Sequence, residues 1–222
     1  MPFTVIPQPA NLRDPGKQGA LDDQGHLRIL PAEFYRQFST EELMVFGNRN
    51  AIYSIPTMEL VDWLQAALTG KFAIEIGAGN GVLAKALAIP ATDNWMQTWP
   101  EIVAHYNMLR QPLVSYGNHV ENIDAAEAIA QYKPEVVLAC WVTHRYREDR
   151  HELGGNMFGV DEEAICKTCQ TYIHVGNSAT HANKTIRKLP HRRYQFNWLV
   201  SRAKQPELNE ICVWGEKLPI EP

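Results

Sequence analysis

The sequence predicts an α/β domain, doubly wound, with a seven-stranded mostly parallel sheet, an antiparallel C-terminal strand pair and helices on both faces. Three observations predict it. From Phe72 onward, short apolar runs with strand character alternate with helical stripes. A glycine-rich turn, Gly77-Ala78-Gly79-Asn80-Gly81, directly follows the first of these runs. The last two runs are joined by a short loop that favours antiparallel pairing, whereas helical crossovers separate the earlier ones and return the chain parallel. On this reading residues 1–56 form an N-terminal arm with short helices packing on the domain, and residues 57–222 form the α/β domain.

The elements follow in order. Residues 1 to about 32 hold five prolines and few periodic apolar positions, which predicts an irregular arm. Ser39-Thr40-Glu41-Glu42 is a capping box with Phe38 and Leu43 placed to staple it, and Gly47 can end that helix. A second helix starts near Thr57, carries Met58, Leu60, Val61, Leu64 and Leu68 on one stripe, and stops at Gly70. Phe72 to Ile76 reads as a buried strand, Val82 to Leu87 as a helix, and a short extended segment ends at Asp93. Thr98-Trp99-Pro100-Glu101 repeats the capping-box pattern and opens a helix toward Leu109. His119 to Asp124 is a strand, Ala125 to Tyr132 a helix, and Glu135 to Val142 the strongest β run in the chain. A helix around Glu162 to Thr168, a strand at Thr171 to Val175, a basic helix from Ser178 to Lys188, and strands near Gln195–Ser201 and Glu210–Trp214 complete the pattern.

Composition narrows the class. With 222 residues, 45% hydrophobic and 21% charged, the chain is long enough to bury a core and lies outside the collagenous, disordered and coiled-coil ranges. There is no run of eighteen apolar residues, and Met1 to Asp14 lacks the charged start and apolar stretch of a signal peptide. Four cysteines, Cys140, Cys166, Cys169 and Cys212, are too few for a disulfide scaffold, so a cytoplasmic location is expected. Cys166-Lys167-Thr168-Cys169 has no second Cys-x-x-Cys, and no metal site is expected. The net charge of −4 hides an asymmetry. Residues 164–206 contain no acid and carry +8, leaving about −12 on the remainder, a balance that points to an anionic partner such as nucleic acid or a phosphorylated small molecule. The run His191 to Trp198 adds aromatic rings to that basic stretch. A solvated basic face and an ordinary strand are the alternatives.

The glycine turn selects among ligands. A dinucleotide site needs a third glycine at position 82, which is Val, and a phosphate loop needs a Gly-Lys-Ser or Gly-Lys-Thr that is absent. The acid Glu75, two residues before Gly77, disfavours a pyrophosphate and suits an ammonium or a sulfonium. In this spacing, with Asp93 sixteen residues after Gly77 and with Asn122-Ile123-Asp124-Ala125 further on, the sequence resembles the Rossmann-like class I S-adenosylmethionine-dependent methyltransferases over roughly residues 57–215. The resemblance implies S-adenosylmethionine as cofactor. It implies that the loop of Glu75, Gly77, Ala78, Gly79 and Gly81 holds the methionyl part. It further implies that Asp93, with Asn94 and Trp95 beside it, binds the ribose, and that Asp124 and Ala125 face the adenine. Each acid also has a structural alternative: Glu75 as a helix-cap acceptor, Asp93 as a helix-dipole partner, Asp124 as an N-cap.

An acceptor pocket is then expected after the fourth sheet strand. There the chain reads Ala139-Cys140-Trp141-Val142-Thr143-His144, without the Pro-Pro-aromatic motif of the amino-methylating nucleic-acid enzymes. Cys140 and Trp141 are the candidate substrate contacts, and His144 is the candidate general base, histidine being the side-chain type suited to proton removal at neutral pH. The loop Arg145 to Phe158 is long enough to act as a lid. Two further readings stay open at this stage: a methyltransferase-like binding or regulatory protein without turnover, and an enzyme that consumes the same cofactor by lyase chemistry.

Overall fold

The computed structural model describes residues 11–216 and 218, so the first ten residues of the arm lie outside the description. The helices, in chain order, are α1 (Ala32–Arg36), α2 (Thr40–Arg49), α3 (Met58–Ala67), α4 (Val82–Leu87), α5 (Pro100–Met108), α6 (Ala125–Tyr132) and α7 (Glu162–Thr168). The strands are β1 (Ser54–Ile55), β2 (Ala73–Ile76), β3 (Ala91–Asp93), β4 (Val120–Asn122), β5 (Val136–Cys140), β6 (Thr171–Asn177), β7 (Arg192–Tyr194), β8 (Val200–Ser201) and β9 (Asn209–Gly215).

Seven strands form one sheet in the order β4-β3-β2-β5-β6-β9-β7. All pairs from β4 to β6 are parallel, and β9 runs antiparallel to both β6 and β7, as the sequence predicts. Side chains alternate between the two faces. Val136, Leu138, Ile173 and Val175 join Leu60, Leu64, Leu83 and Leu87 of α3 and α4 on one side. Ile74, Ile76, Val137, Ala139 and Tyr172 join Ala128 of α6 and Ile165 of α7 on the other. That period-2 division is why the central strands read as nearly continuous apolar runs: both faces are covered. The chain moves outward from β2 through β3 to β4 and then crosses back to β5 on the other side of β2. The carboxyl ends of β2 and β5 therefore flank the point where winding reverses, where open α/β sheets form their crevice.

The N-terminal segment is tied into the domain. Ser39 accepts from the Glu42 amide while Glu42 accepts from the Ser39 amide, completing the capping box. The guanidinium of Arg13 forks onto the same Glu42, with contacts of 3.0 and 2.8 Å, and lowers its carboxyl to about 2. Tyr35, Phe46, Ile52 and Ile55 bury themselves in a third cluster that reaches Val82 and Val200.

Five local expectations are corrected. Gly47 does not end α2 but lies inside it, because a Cβ there would meet the Ile52 carbonyl at 2.6 Å and the Arg202 Cβ at 2.7 Å. Met58, at the start of α3, stays half exposed. The Thr98 box does not form: Thr98 donates its hydroxyl to the Trp95 carbonyl, and α5 begins with Pro100 after an uncapped Trp99. The basic helix at 178–188 is replaced by turns, since the Asn177 side chain accepts from the amides of Ala179 and Thr180 and competes with helical bonding; only Thr185–Lys188 forms a 3-10 turn. The strand expected at 195–201 is split. β7 takes the sheet edge at 192–194, the rings of Phe196 and Trp198 stack at 4.4 Å, and β8 leaves the sheet to pair with β1. Trp63 of α3 packs against Tyr194 and Phe196, so the aromatic run works as packing over α3.

Candidate functional site

A cavity of about 210 Å³ opens at the carboxyl ends of β2 and β5. Its floor is the glycine turn. Gly77, Gly79 and Gly81 all have positive φ (58°, 56° and 71°), the region that a Cβ disfavours. Their neighbours differ. A Cβ on Gly77 would meet Val142 at 2.6 Å, and one on Gly81 would meet His119 and Val120 at 2.5 Å, whereas one on Gly79 would touch only Val114 at 3.5 Å. Gly79 is thus the glycine whose space opens to a ligand. Gly81 does not line the cavity: it lets α4 start close against the edge strand β4.

Two acids organise this floor. Glu75 is 2% exposed, accepts from the Ala84 amide of α4 at 2.9 Å and also lines the cavity, so the cap-acceptor role and a ligand-facing position coexist. Burial, with Asp93 nearby, pushes its carboxyl up to about 8 against the opposing Ala84 bond. Asp93 accepts from the amides of Gly79 and Trp95, both at 3.0 Å, and pins the glycine turn to the end of β3. Burial raises its carboxyl above the ordinary value, while those amide bonds and the Tyr116 hydroxyl pull it down.

The remaining candidates divide. Ala78, Asn94, Asp124 and Ala125 line the cavity. Asn94 donates to the Phe158 carbonyl at 3.1 Å and thereby joins β3 to the loop after β5. Asp124 is both a cavity residue and the N-cap of α6, accepting from Ala126 at 2.8 Å. Trp95 does not line the cavity. Its ring stacks on Tyr116 at 5.2 Å and 10°, and Tyr116 presents the aromatic face instead. Cys140 and Trp141 line the wall, and burial, then Glu75, push the Cys140 thiol up to about 12. Trp141 sits at φ 57°, donates its amide to the Val175 carbonyl at 2.9 Å and meets the His181 ring edge-on at 5.1 Å.

His144 is placed elsewhere. Thr143 lines the cavity, and the next residue falls on the other side of the chain, where His144 Nε2 meets the Leu153 carbonyl at 3.2 Å and borders a separate shallow depression beside Arg147 and Arg150. His144, the expected general base, is thus outside the cavity lining, and among the described residues no histidine lines it.

The basic stretch has internal partners. Lys184, 3% exposed, pairs with Glu162 at 2.5 Å, and Glu162 also accepts from Tyr172 at 2.7 Å. Arg187 and Arg193 both pair with the buried Glu210. Arg202 lies over the Tyr53 ring at 3.6 Å. Four of the eight cations that motivated an anionic partner are therefore engaged within the fold, and a nucleic-acid partner has no support.

Several cavity residues were invisible to pattern reading: Tyr53 and Ser54 from the N-terminal segment, Tyr106 from α5, Tyr116, and Asn156. Tyr106 is hydrogen-bonded to Tyr53 and pushed up to about 12 by burial. The one sequence trace of Tyr116 is its neighbour Gly117, where a Cβ would meet the Asn80 carbonyl of the glycine turn at 2.7 Å.

Searches of protein-family models and of curated protein sequences find no match. Among solved structures the chain is similar to a Streptococcus mutans protein described as a SAM-dependent methyltransferase (11% identity, TM-score 0.38, 70% of this chain and 47% of that one). It is also similar to WbdD (8%, 0.42, 71% and 40%). A third is the precorrin-6y C5,15-methyltransferase of Geobacter metallireducens (11%, 0.40, 80% and 100%). The chain thus spans less than half the length of the first two. The likeness is one of fold. Among the described residues no helix is long and apolar enough to cross a membrane.

Proposed function

We propose that the cavity binds S-adenosylmethionine and that the protein transfers its methyl group to an acceptor held against the β5 end. The observation that carries this is electrostatic: Glu75, Asp93 and Asp124 line the glycine-floored cavity, and among the described residues no lysine or arginine does. Such a lining fits a cation and opposes a pyrophosphate. The open space at Gly79 admits a ligand against the backbone, so the residues present fit the cofactor. The turn Gly77–Asn80 and Glu75 would hold its methionyl end, Asp93 with Asn94 its ribose, and Asp124 with Ala125 its adenine. Bound there, the group supplies an electrophilic methyl on a positively charged sulfur. The chain's own residues orient the acceptor, exclude water and balance charge. Calorimetric titration with S-adenosylmethionine and S-adenosylhomocysteine tests this. Micromolar binding that Asp93→Ala and Gly79→Asp abolish is expected, and a folded sample that binds neither at millimolar ligand would overturn it.

A second reading, a cofactor-binding protein without turnover, draws on one observation: the histidine positioned by sequence to act as base faces away from the cavity. Binding without methyl transfer to any acceptor would favour it.

A further inference from the structure

The β5 end of the cavity has a character of its own. Tyr53 and Trp141 face each other there with ring centres 6.5 Å apart and planes tilted by 42°, beside Ser54 and Cys140, whose side chains are hydrogen-bonded to each other. The walls are fixed. Trp141 is held by its amide bond to Val175 and by the edge-on His181 ring. The segment bearing Tyr53 and Ser54 is held by the β1–β8 ladder, by the Arg202 amide donating to the Tyr53 carbonyl at 3.1 Å, and by the Ile52 amide donating to Gly47 at 2.8 Å. Arg202 covers the Tyr53 ring but does not line the cavity, and the cavity lining holds acids with no Lys or Arg among the described residues.

We propose that this end takes a small planar amine as methyl acceptor and rejects phosphorylated acceptors. The inference rests on the S-adenosylmethionine reading and adds its substrate class. Tyrosine and tryptophan faces attract a cation and stack a flat ring. The carboxyl lining favours a positive charge and repels a phosphate that finds no basic partner. The Tyr53–Ser54 wall is tied down by backbone hydrogen bonds.

The chemistry balances without a histidine in the cavity. The amine is recognised as its ammonium form and gives up that proton to water, and the nitrogen lone pair so freed forms the new N–C bond while the C–S bond breaks with its electron pair left on sulfur. The positive charge moves from sulfur to nitrogen, still within the acidic lining, and the product ammonium releases its proton to water. An ammonium loses its proton to water far more readily than a hydroxyl acceptor does, so this step needs no positioned base in the cavity.

The test uses the full chain without cofactor and three probes with one ring and different charge: phenethylamine, phenylacetate and phenyl phosphate, each titrated by calorimetry. Phenethylamine is expected to bind at least about tenfold more tightly than phenylacetate, with no saturable binding of phenyl phosphate. Trp141→Ala should weaken the amine about tenfold and Trp141→Phe should restore most of the loss, with Tyr53→Leu as an independent second variant and circular dichroism confirming that each is folded. Anions binding as tightly as the amine, or a single-stranded RNA 12-mer displacing it, would overturn the proposal. The parallel S-adenosylmethionine titration separates the two failures. If the cofactor binds and the amine shows no preference, the substrate class is wrong and the cofactor site stands. If the amine binds and the cofactor does not, the pocket chemistry stands and the methyltransferase reading falls.

Discussion

Two regions of this molecule bury carboxylates equally deeply and treat them in opposite ways. Under the C-terminal half of the sheet, Glu162 (3% exposed) meets Lys184 and the Tyr172 hydroxyl, and Glu210 (1%) meets Arg187 and Arg193. At the carboxyl end of β2, Glu75 (2%) has a backbone amide as its partner and another acid, Asp93, as its charged neighbour. A buried carboxylate with cations around it is complete within the fold. One without them is held near neutrality, and a cation arriving from solvent would complete it. That contrast separates a region whose buried acids are matched by cations of the fold from one whose buried acids are not.

The largest effect is expected where the charge is complete. Lys184→Met leaves Glu162 buried without its cation and should cost about 3–5 kcal/mol in urea denaturation, whereas Glu162→Gln combined with Lys184→Met should recover most of that loss. An equal loss in the double variant would show that packing, and not the pair, supports this region.

Glu75 predicts a pH dependence of opposite origin. Its carboxyl ordinarily titrates near 4.5 and stands at about 8 in the folded chain. Between those limits the folded chain keeps a proton that the unfolded chain has lost. Its contribution to stability is therefore fully present below about pH 4.5 and is lost as the pH rises toward 8, at no more than about 1.4 kcal/mol per pH unit. Denaturation midpoints measured from pH 5 to 8 should fall for the wild-type chain and flatten in Glu75→Gln. At pH 7 a bound sulfonium should expel that proton, so calorimetry in buffers of different ionisation enthalpy should record more proton release with S-adenosylmethionine than with S-adenosylhomocysteine.

The glycines sharpen the comparison at a smaller scale. Gly79→Ala and Gly81→Ala both place a Cβ at positive φ, costing about 1–2 kcal/mol each. Gly81→Ala should cost a further 1–3 kcal/mol or so because its Cβ meets His119 and Val120. Only Gly79→Ala should also weaken cofactor binding. The smallest effect belongs to His144→Ala, which should change cofactor affinity less than about twofold because its ring points away from the cavity.

Legibility tracked the distance over which each feature is decided. The capping box at Ser39, the α3 stripe from Leu60 to Leu68 and the β5 run are written in neighbouring residues, and each formed where the pattern placed it. The Thr98 box and the 178–188 helix carried equally plausible local patterns and lost to competing side-chain bonds, from Thr98 to Trp95 and from Asn177 to the turn that follows it. At the site, the glycine turn and its two acids stood out because strand, glycines and helix are contiguous. Tyr53 and Tyr106 did not, because an aromatic residue in a loop or on a helix looks the same whether it packs, floats or faces a ligand.

By itself the sequence determined that strands alternate with helices, that the sheet is mostly parallel with an antiparallel end, and that a glycine-floored crevice lies after β2 with acids at its rim. These follow from periodicity and from the backbone freedom of glycine, both of which act within a few residues. Only the tertiary structure decided which side of the chain His144 took, which residues of the arm roof the cavity, and that Lys184, Arg187 and Arg193 answer Glu162 and Glu210. Those outcomes depend on contacts between residues 9 to 149 positions apart, for which burial and charge complementarity choose the partner and no local pattern announces it.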